Sequence, residues 1–452
     1  MPRKSKSREL TVWVNGRHAA DWRVPRRGDV ELQYDATWVG AEEGRPLSLS
    51  LPLSLENAPI KGRNVQSYFE NLLPESEAIR QRIQTRFHTP SRDPFDLLAA
   101  IGRDCVGAVQ LLPEGEEPAD FGTIAAQPLT EAEIERALIR AATPAAPLGM
   151  DEDDFRISIA GAQEKSAFLL HEGRWCRPHG TTPTTHIFKL PLGLIGGIQA
   201  DMSYSVENEW LCAELLRRYG LPVAHCQVSN VGSLKVLIVE RFDRQLHSSG
   251  TYWLRLVQED FCQALAFPSA MKYERDHGPG IPEIAGVLRN SMNRDSDLLV
   301  FLKAQILFWM LAAGDGHAKN FSIRILSGGR YHLTPLYDVL SYWPIIGKGP
   351  NKIQLEKTRL AMAMRGANRH YFWKEIQRRH FNETAARIGI GSAEPLIEEI
   401  LAKTPEVLTA VEREMPNTIP SAVAEPIFNG VRTSAERLEE MPAGLVRSPA
   451  AA

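Results

Sequence analysis

The sequence predicts an α+β fold in two or three domains, with sheet concentrated before about residue 257 and helix after it. Three observations carry this expectation. The chain has 452 residues, 43% of them hydrophobic and 24% charged, which is more chain than one hydrophobic core of roughly 250 to 300 residues organises. Apolar residues alternate at period two in short runs up to Phe242. From Glu259 onward they recur mostly at period 3.6.

Taken in order, Leu10–Val14 with the turn signal Asn15-Gly16 opens a hairpin, and Leu47, Leu49, Leu51 and Leu53 alternate as a strand would. Helical spacing follows at 66–73 and 94–101, then a strand at 106–112 and an acidic, proline-bounded linker at 113–118. Thr130 with Glu133 forms a capping-box signature for a helix reaching about Ala141. Strands are expected at 155–159, 166–170, 185–190 and 235–242, with one helix at 206–219 closed by Gly220. Beyond Gln258, helices are expected at 259–266, 295–313, 369–378 and 392–411, and a strand pair brackets Ser327-Gly328-Gly329. The domain boundaries that follow are 1–128, 129–257 and 258–446, with a disordered tail at 447–452.

The net charge of −3 gives no global attraction to nucleic acid or an anionic membrane. It is unevenly spread, however. Residues 348–380 carry nine Lys or Arg against Glu356 and Glu375, a net of +7 that leaves −10 elsewhere. With Tyr371, Phe372 and Trp373 interleaved, this stretch is either a phosphate-contacting surface or a solvated helical face. Five scattered cysteines form neither a disulfide framework nor a zinc knuckle, so a reducing compartment is expected. The longest apolar run, 298–314, is broken by Lys303 and Gln305 and falls short of a bilayer span. A cytoplasmic protein without a membrane partner is the expectation.

Five groups of residues have the chemistry for a site. Asp315-Gly-His317-Ala-Lys-Asn320 follows the apolar helix, with Asp338 behind a short hairpin. A carboxylate and an amide five residues apart is the spacing of kinase catalytic loops, where the acid takes a hydroxyl proton and the amide holds a metal. Asn, Asp and Gly are equally the residues that turn a chain after a helix. Second, Ser158-Ile-Ala160-Gly161-Ala162-Gln-Glu-Lys165 is a turn of small residues whose N–H groups can approach phosphate, or a plain hairpin connection; Glu164 breaks the Walker pattern. Third, Lys189 lies among apolar strand residues ahead of the helix carrying Glu207 and Glu209, either as a phosphate-binding lysine or as an edge lysine. Fourth, the strand ending Glu240-Arg-Phe242-Asp243 either offers its backbone to an adenine edge or is a core strand with a charged exit. The fifth is the basic stretch described above.

In this order, the segments resemble the HipA family of bacterial toxin–antitoxin serine/threonine-protein kinases over nearly the whole chain. The stretches that carry the likeness are 45–53 (RPLSLSLPL), 102–109 (GRDCVGAV), 154–165 (DFRISIAGAQEK), 181–191 (TTPTTHIFKLP), 239–244 (VERFDR) and 315–322 (DGHAKNFS). The resemblance implies a bilobal, phosphatidylinositol-kinase-like fold with an N-terminal α/β lobe and an all-α C-terminal lobe. It implies ATP and Mg²⁺ as cofactors, Asp315 as catalytic base, and Asn320 and Asp338 as metal ligands. Ala160, Gly161, Ala162, Lys165, Lys189, Glu240, Phe242, Asp243 and His317 are then the ATP-binding positions, and Ser158 the site of an inactivating autophosphorylation. The partners implied are a HipB-like helix-turn-helix antitoxin, operator DNA reached through that complex, and a protein substrate such as glutamate–tRNA ligase. A non-catalytic co-repressor and an ATP-independent metal hydrolase built from Asp315, His317 and Asp338 are the competing readings.

Overall fold

The structure, a computed structural model, describes residues 8–142, 157–158 (backbone only), 163, 165–196 and 199–444. It divides into two compact units interleaved along the chain. The first comprises 1–190, 229–270 and 323–331; the second comprises 191–228, 271–322 and 332–452.

Among its described residues the first unit holds two large sheets, of five and six strands. In the N-terminal one, Arg8–Val14 is flanked by Arg17–Val24 and Val109–Pro113, all antiparallel, and the period-two alternation buries Leu10, Val12 and Val14. Against that face Trp22 stacks on Phe69, their rings 3.8 Å apart. The second sheet has six strands, with His186–Lys189 between Lys165–His171 and Leu234–Glu240. The helix Glu131–Ala142 packs Ile134 and Leu138 on its Phe168, Phe188, Val236 and Ile238. The capping box forms as its sequence requires: Glu133 N–H donates to Thr130 Oγ1 at 3.3 Å, and Thr130 N–H to Glu133 Oε2 at 2.7 Å.

Residues 47–53 are not the strand that their alternation predicts. Pro46 and Pro52 remove ladder donors, and the segment folds into a tight turn closed by one Ser48–Leu51 bridge. Glu259 secures this turn, accepting from the Ser48 hydroxyl and, at 2.8 Å, from Leu49 N–H.

The second unit is built on the buried helix Arg294–Met310, with Ser205–Arg218, Arg378–Ile388, Glu394–Glu414 and Ser421–Glu440. The strand pair expected around Ser327–Gly329 forms, as Ser322–Ile325 and Tyr331–Leu333, but the expectation of an otherwise all-α C-terminal lobe is corrected, because among the described residues Gln258–Asp260, Arg359–Arg365 and Arg369–Phe372 are strands as well. The helix expected over 369–378 is replaced at its start by a strand. A turn at Gly366–Asn368 folds Arg369–Phe372 back on Arg359–Arg365, and cross-strand pairing overrides the helical spacing of the aromatics. Met362 and Met364 are core residues of that hairpin, as their apolar neighbours imply. Among the described residues no helix is long and apolar enough to cross a membrane.

Candidate active site

The loop after the Arg294–Met310 helix is shaped by two glycines. The helix gives way at Ala312, whose φ is +49°, and the chain turns through Gly314 to Asp315. A Cβ on Gly314 would lie 2.4 Å from the Tyr342 ring and 2.6 Å from the Arg359 carbonyl oxygen. One on Gly316 would lie 2.5 Å from the Phe308 ring. Only glycine lets the loop lie this close to its supports. His317 N–H then donates to the Asp315 carbonyl at 2.8 Å, and a short 3₁₀ turn over Ala318–Asn320 leads Phe321 into the core.

Asn320 ties this loop to Asp338. Its Nδ2 donates to the carbonyls of Asp315, 3.0 Å away, and Asp338, 3.2 Å away. Tyr337 reinforces the arrangement with a hydroxyl bond to the Lys319 carbonyl at 2.8 Å. Asp338 itself is left-handed, with φ of +61°, a conformation that aspartate adopts more readily than most residues. Asp315, His317, Asn320 and Asp338 thus come together, and both carboxylates remain partly accessible.

Charges of both signs act on this group. Burial pushes His317 well below the ordinary imidazole range; Lys272 and Lys319 push it the same way, and Asp338 pulls it back. The ring is therefore neutral near pH 7, and its buried Nδ1 has no hydrogen-bond partner among the described residues. Burial, and then the Asp315 carboxylate, raise the Tyr342 phenol, which stays protonated. Among the described residues no three His, Cys, Asp or Glu side chains gather to hold a metal ion alone. The donors present are hard oxygens, the Asp338 carboxylate and Asn320 Oδ1. That set fits a Mg²⁺ ion completed by water and phosphate oxygens.

The remaining candidates lie in the first unit. Lys189 is buried and faces Lys165 and Leu237 across the neighbouring strands. Glu240, opposite His186, is exposed, and Phe242 is half-buried. Asp243, expected near the nucleotide, has its carboxylate engaged within the protein. Burial raises its carboxyl, but Arg241 and Arg244 overcome this and hold it below the ordinary range. Its oxygens accept from Arg241 at 2.8 and 3.0 Å and from Gly107 N–H at 2.8 Å. Asp243 therefore belongs to an internal charge cluster with Arg241, Arg244, Arg255 and Asp104. The Ser158 backbone pairs with Cys105 in a short parallel bridge; Ala160, Gly161, Ala162 and the Ser158 side chain lie outside the described residues.

The basic stretch 348–380 is a hairpin with its following turn, and several of its cations are engaged internally. Arg365 pairs with Glu274, Lys374 with Glu356 and Arg378 with Glu394. Trp373 is buried and stacks on Trp309.

Two residues that spacing did not reveal also belong to the site. Tyr273 donates its hydroxyl to Asp315 Oδ1, and Glu274 anchors the segment carrying it. Both sit in the charged stretch 271–280, where no periodicity points toward Asp315.

Comparison with known proteins is consistent along the chain. Residues 10–112 match the model of the HipA N-terminal domain, and residues 157–411 that of the HipA-like C-terminal domain. A putative kinase of Sinorhizobium fredii, Y4mE, is 37% identical over 338 residues, covering 74% of this chain and 77% of its own. The serine/threonine-protein kinase toxin HipA of Shewanella oneidensis is 28% identical over 338 residues, covering 69% and 72%. Among solved structures, HipA in the Shewanella oneidensis MR-1 complex of HipA, HipB and operator DNA superposes with a TM-score of 0.76. That likeness of fold spans 95% of this chain and 97% of the other at 21% identity.

Proposed function

The chain belongs to the HipA family of serine/threonine-protein kinase toxins, and we propose that it transfers the γ-phosphate of ATP to a serine or threonine hydroxyl of a protein. The observation that carries this reading is the Asn320 amide, which binds the backbone of both Asp315 and Asp338 and so supports reading the three residues as one group of base and metal ligands. The Asp315 carboxylate takes the substrate hydroxyl proton as that oxygen bonds to the γ-phosphorus and the bond to the ADP oxygen breaks. Asn320 Oδ1 and Asp338 would hold Mg²⁺, which when bound neutralises charge on the phosphate oxygens. Lys272 and Lys319 add fixed positive charge beside His317.

In the first unit, Lys165 and Lys189 stand opposite each other on adjacent strands. Two cations in register on adjacent strands are suited, with the small residues 160–162, to receiving the triphosphate. The backbone at Glu240 and Phe242 would meet the adenine. A phosphoryl group on Ser158 would add about −1.5 to −2 charge close in sequence to residues 160–162 and oppose ATP. The structural neighbour's assembly with HipB and operator DNA supports a HipB-like antitoxin as partner, and glutamate–tRNA ligase is the substrate to test first.

Incubation of the protein with γ-labelled ATP, Mg²⁺ and cell extract should label a discrete protein band, and Asp315→Asn should abolish the label while leaving the fold unchanged. An unlabelled extract, with operator DNA still bound in the presence of antitoxin, would replace the kinase by a co-repressor.

A further inference from the structure

Asp315 has an anchor beyond its own loop, contributed 42 residues earlier in the chain. Tyr273 donates its hydroxyl proton to Asp315 Oδ1. The same ring meets His317 edge-on, with centroids 4.9 Å apart and planes at 86°. Lys272 Nζ lies 5.3 Å and Arg275 Cζ 5.0 Å from the ring centre. These cations draw electron density from the phenol, which makes its O–H a stronger donor to a carboxylate.

Tyr273 is held in turn. Glu274 is only 4% exposed, and its carboxylate accepts Ala363 N–H at 2.7 Å and Arg365 Nη2 at 2.6 Å. The chain folds closely around this pair: a Cβ on Gly280 would lie 2.4 Å from the Glu274 carboxyl, and one on Gly278 would lie 1.8 Å from the Met271 carbonyl oxygen. The segment 271–280 is therefore fastened to the strand Arg359–Arg365, which gives the buried part of the basic stretch a purpose that its charge alone does not.

We infer that Tyr273 is a positioning residue for phosphoryl transfer, its hydroxyl setting the rotation of the Asp315 carboxylate toward the substrate hydroxyl, with the Glu274–Arg365 pair holding Tyr273 in register. The physical need is plain. The terminal torsion of an aspartate is broad and roughly two-fold, so without a partner the carboxylate samples orientations from which it accepts a proton poorly. A base must lie within hydrogen-bond reach of the proton it takes, and a misplacement of about 1 Å can cost on the order of 100-fold. The inference rests on reading Asp315 as the base.

Tyr273→Phe keeps the ring and its contacts and deletes only the hydroxyl. It should lower kcat about 10- to 100-fold, with KM for ATP, fluorescent-nucleotide affinity and melting temperature unchanged. A wild-type kcat, or a loss confined to KM or accompanied by a fall in melting temperature, would overturn the inference. Glu274→Gln retains an acceptor for Ala363 N–H while losing the charge that pairs with Arg365. It should reduce kcat in the native background and add little in the Tyr273→Phe background; a full additive loss would show that Glu274 does not act through Tyr273. Asp315→Asn is the control for the underlying reading. If Asp315→Asn transfers phosphate at the wild-type rate, the base assignment fails, whereas an inactive Asp315→Asn beside an unaffected Tyr273→Phe rejects the positioning role alone.

Discussion

Asn320 donates from its side-chain amide to the backbone carbonyl of Asp338, 3.2 Å away and eighteen positions later in the chain. With its second donation, to the Asp315 carbonyl, the amide has its nitrogen end fixed and its oxygen end directed elsewhere. Charge and hydrogen bonding at position 320 can therefore be separated.

Asn320→Asp retains a hard oxygen ligand but loses both donations and adds negative charge beside Asp315 and Asp338. Two carbonyls lose their donor, at about 1–3 kcal/mol for each one that stays buried and unsatisfied. Phosphorylation should fall at least tenfold even at saturating Mg²⁺, and the denaturation midpoint should drop. If excess Mg²⁺ fully restored activity, Asn320 would act as a ligand and nothing more.

Gly316→Ala tests the close approach of the loop to its support. The new methyl would meet the Phe308 ring, a side chain that can shift, so a destabilisation of roughly 1–3 kcal/mol with reduced kinase activity is expected. Gly314→Ala should be worse, because one of its walls is the Arg359 carbonyl oxygen, which belongs to a paired strand. Thermal denaturation and labelled-phosphate transfer on the two variants check the order, and equal stability would contradict it.

Much of this site was legible because its members are close in sequence or carry a strong local signal. The Asp315–Asn320 spacing, the helix before it and the hairpin before Asp338 are local features, as is the Thr130–Glu133 cap. Partnerships across long separations were not legible. The stretches Gly102–Val109 and Val239–Arg244 stood out separately, yet nothing in either showed that Asp104 and Arg241 would share one buried cluster; the nucleotide-facing expectation for Asp243 came from the family resemblance alone. Tyr273 escaped because a lone tyrosine among charges has no period. The 47–53 run misled because alternation reports burial, while its prolines decided which backbone groups could pair.

That buried cluster predicts a large effect from a small change. Asp104 accepts from Arg244 at 2.9 Å, from Arg255 at 3.3 Å and from Arg241 at 3.4 Å, with the Thr184 hydroxyl at 2.7 Å. Asp104→Asn is nearly isosteric but leaves three buried guanidiniums, of which only Arg241 and Arg244 pair with Asp243, the remaining carboxylate of the group. Breaking a buried pair in this way costs roughly 3–5 kcal/mol, which urea denaturation would read directly. A loss below about 1 kcal/mol, the scale of an exposed pair, would mean that water or another anion compensates the arginines.

Glu259 gives the stability of the first unit a pH dependence of opposite sign to the usual carboxylate. Burial, only partly offset by the Ser48 hydroxyl and Leu49 N–H, pushes its pKa from 4.5 up to about 8. Below pH 4.5 the folded and unfolded states are both protonated at this position. Between about 4.5 and 8 the folded state keeps a proton that the unfolded state has released, so stability falls as pH rises, by at most about 1.4 kcal/mol per unit. Above 8 both are ionised and the loss is complete. The protonated carboxyl has a place for its hydrogen, since Ser48 Oγ can accept it while passing its own to Ser50 Oγ, 2.8 Å away. Glu259→Gln mimics that neutral form. Urea denaturation from pH 5 to 9 should show a smaller decline for Glu259→Gln than for the native chain, with the variant the more stable of the two at pH 9. Parallel curves would mean that Glu259 is ionised throughout and that the turn at 47–53 is held by a charge.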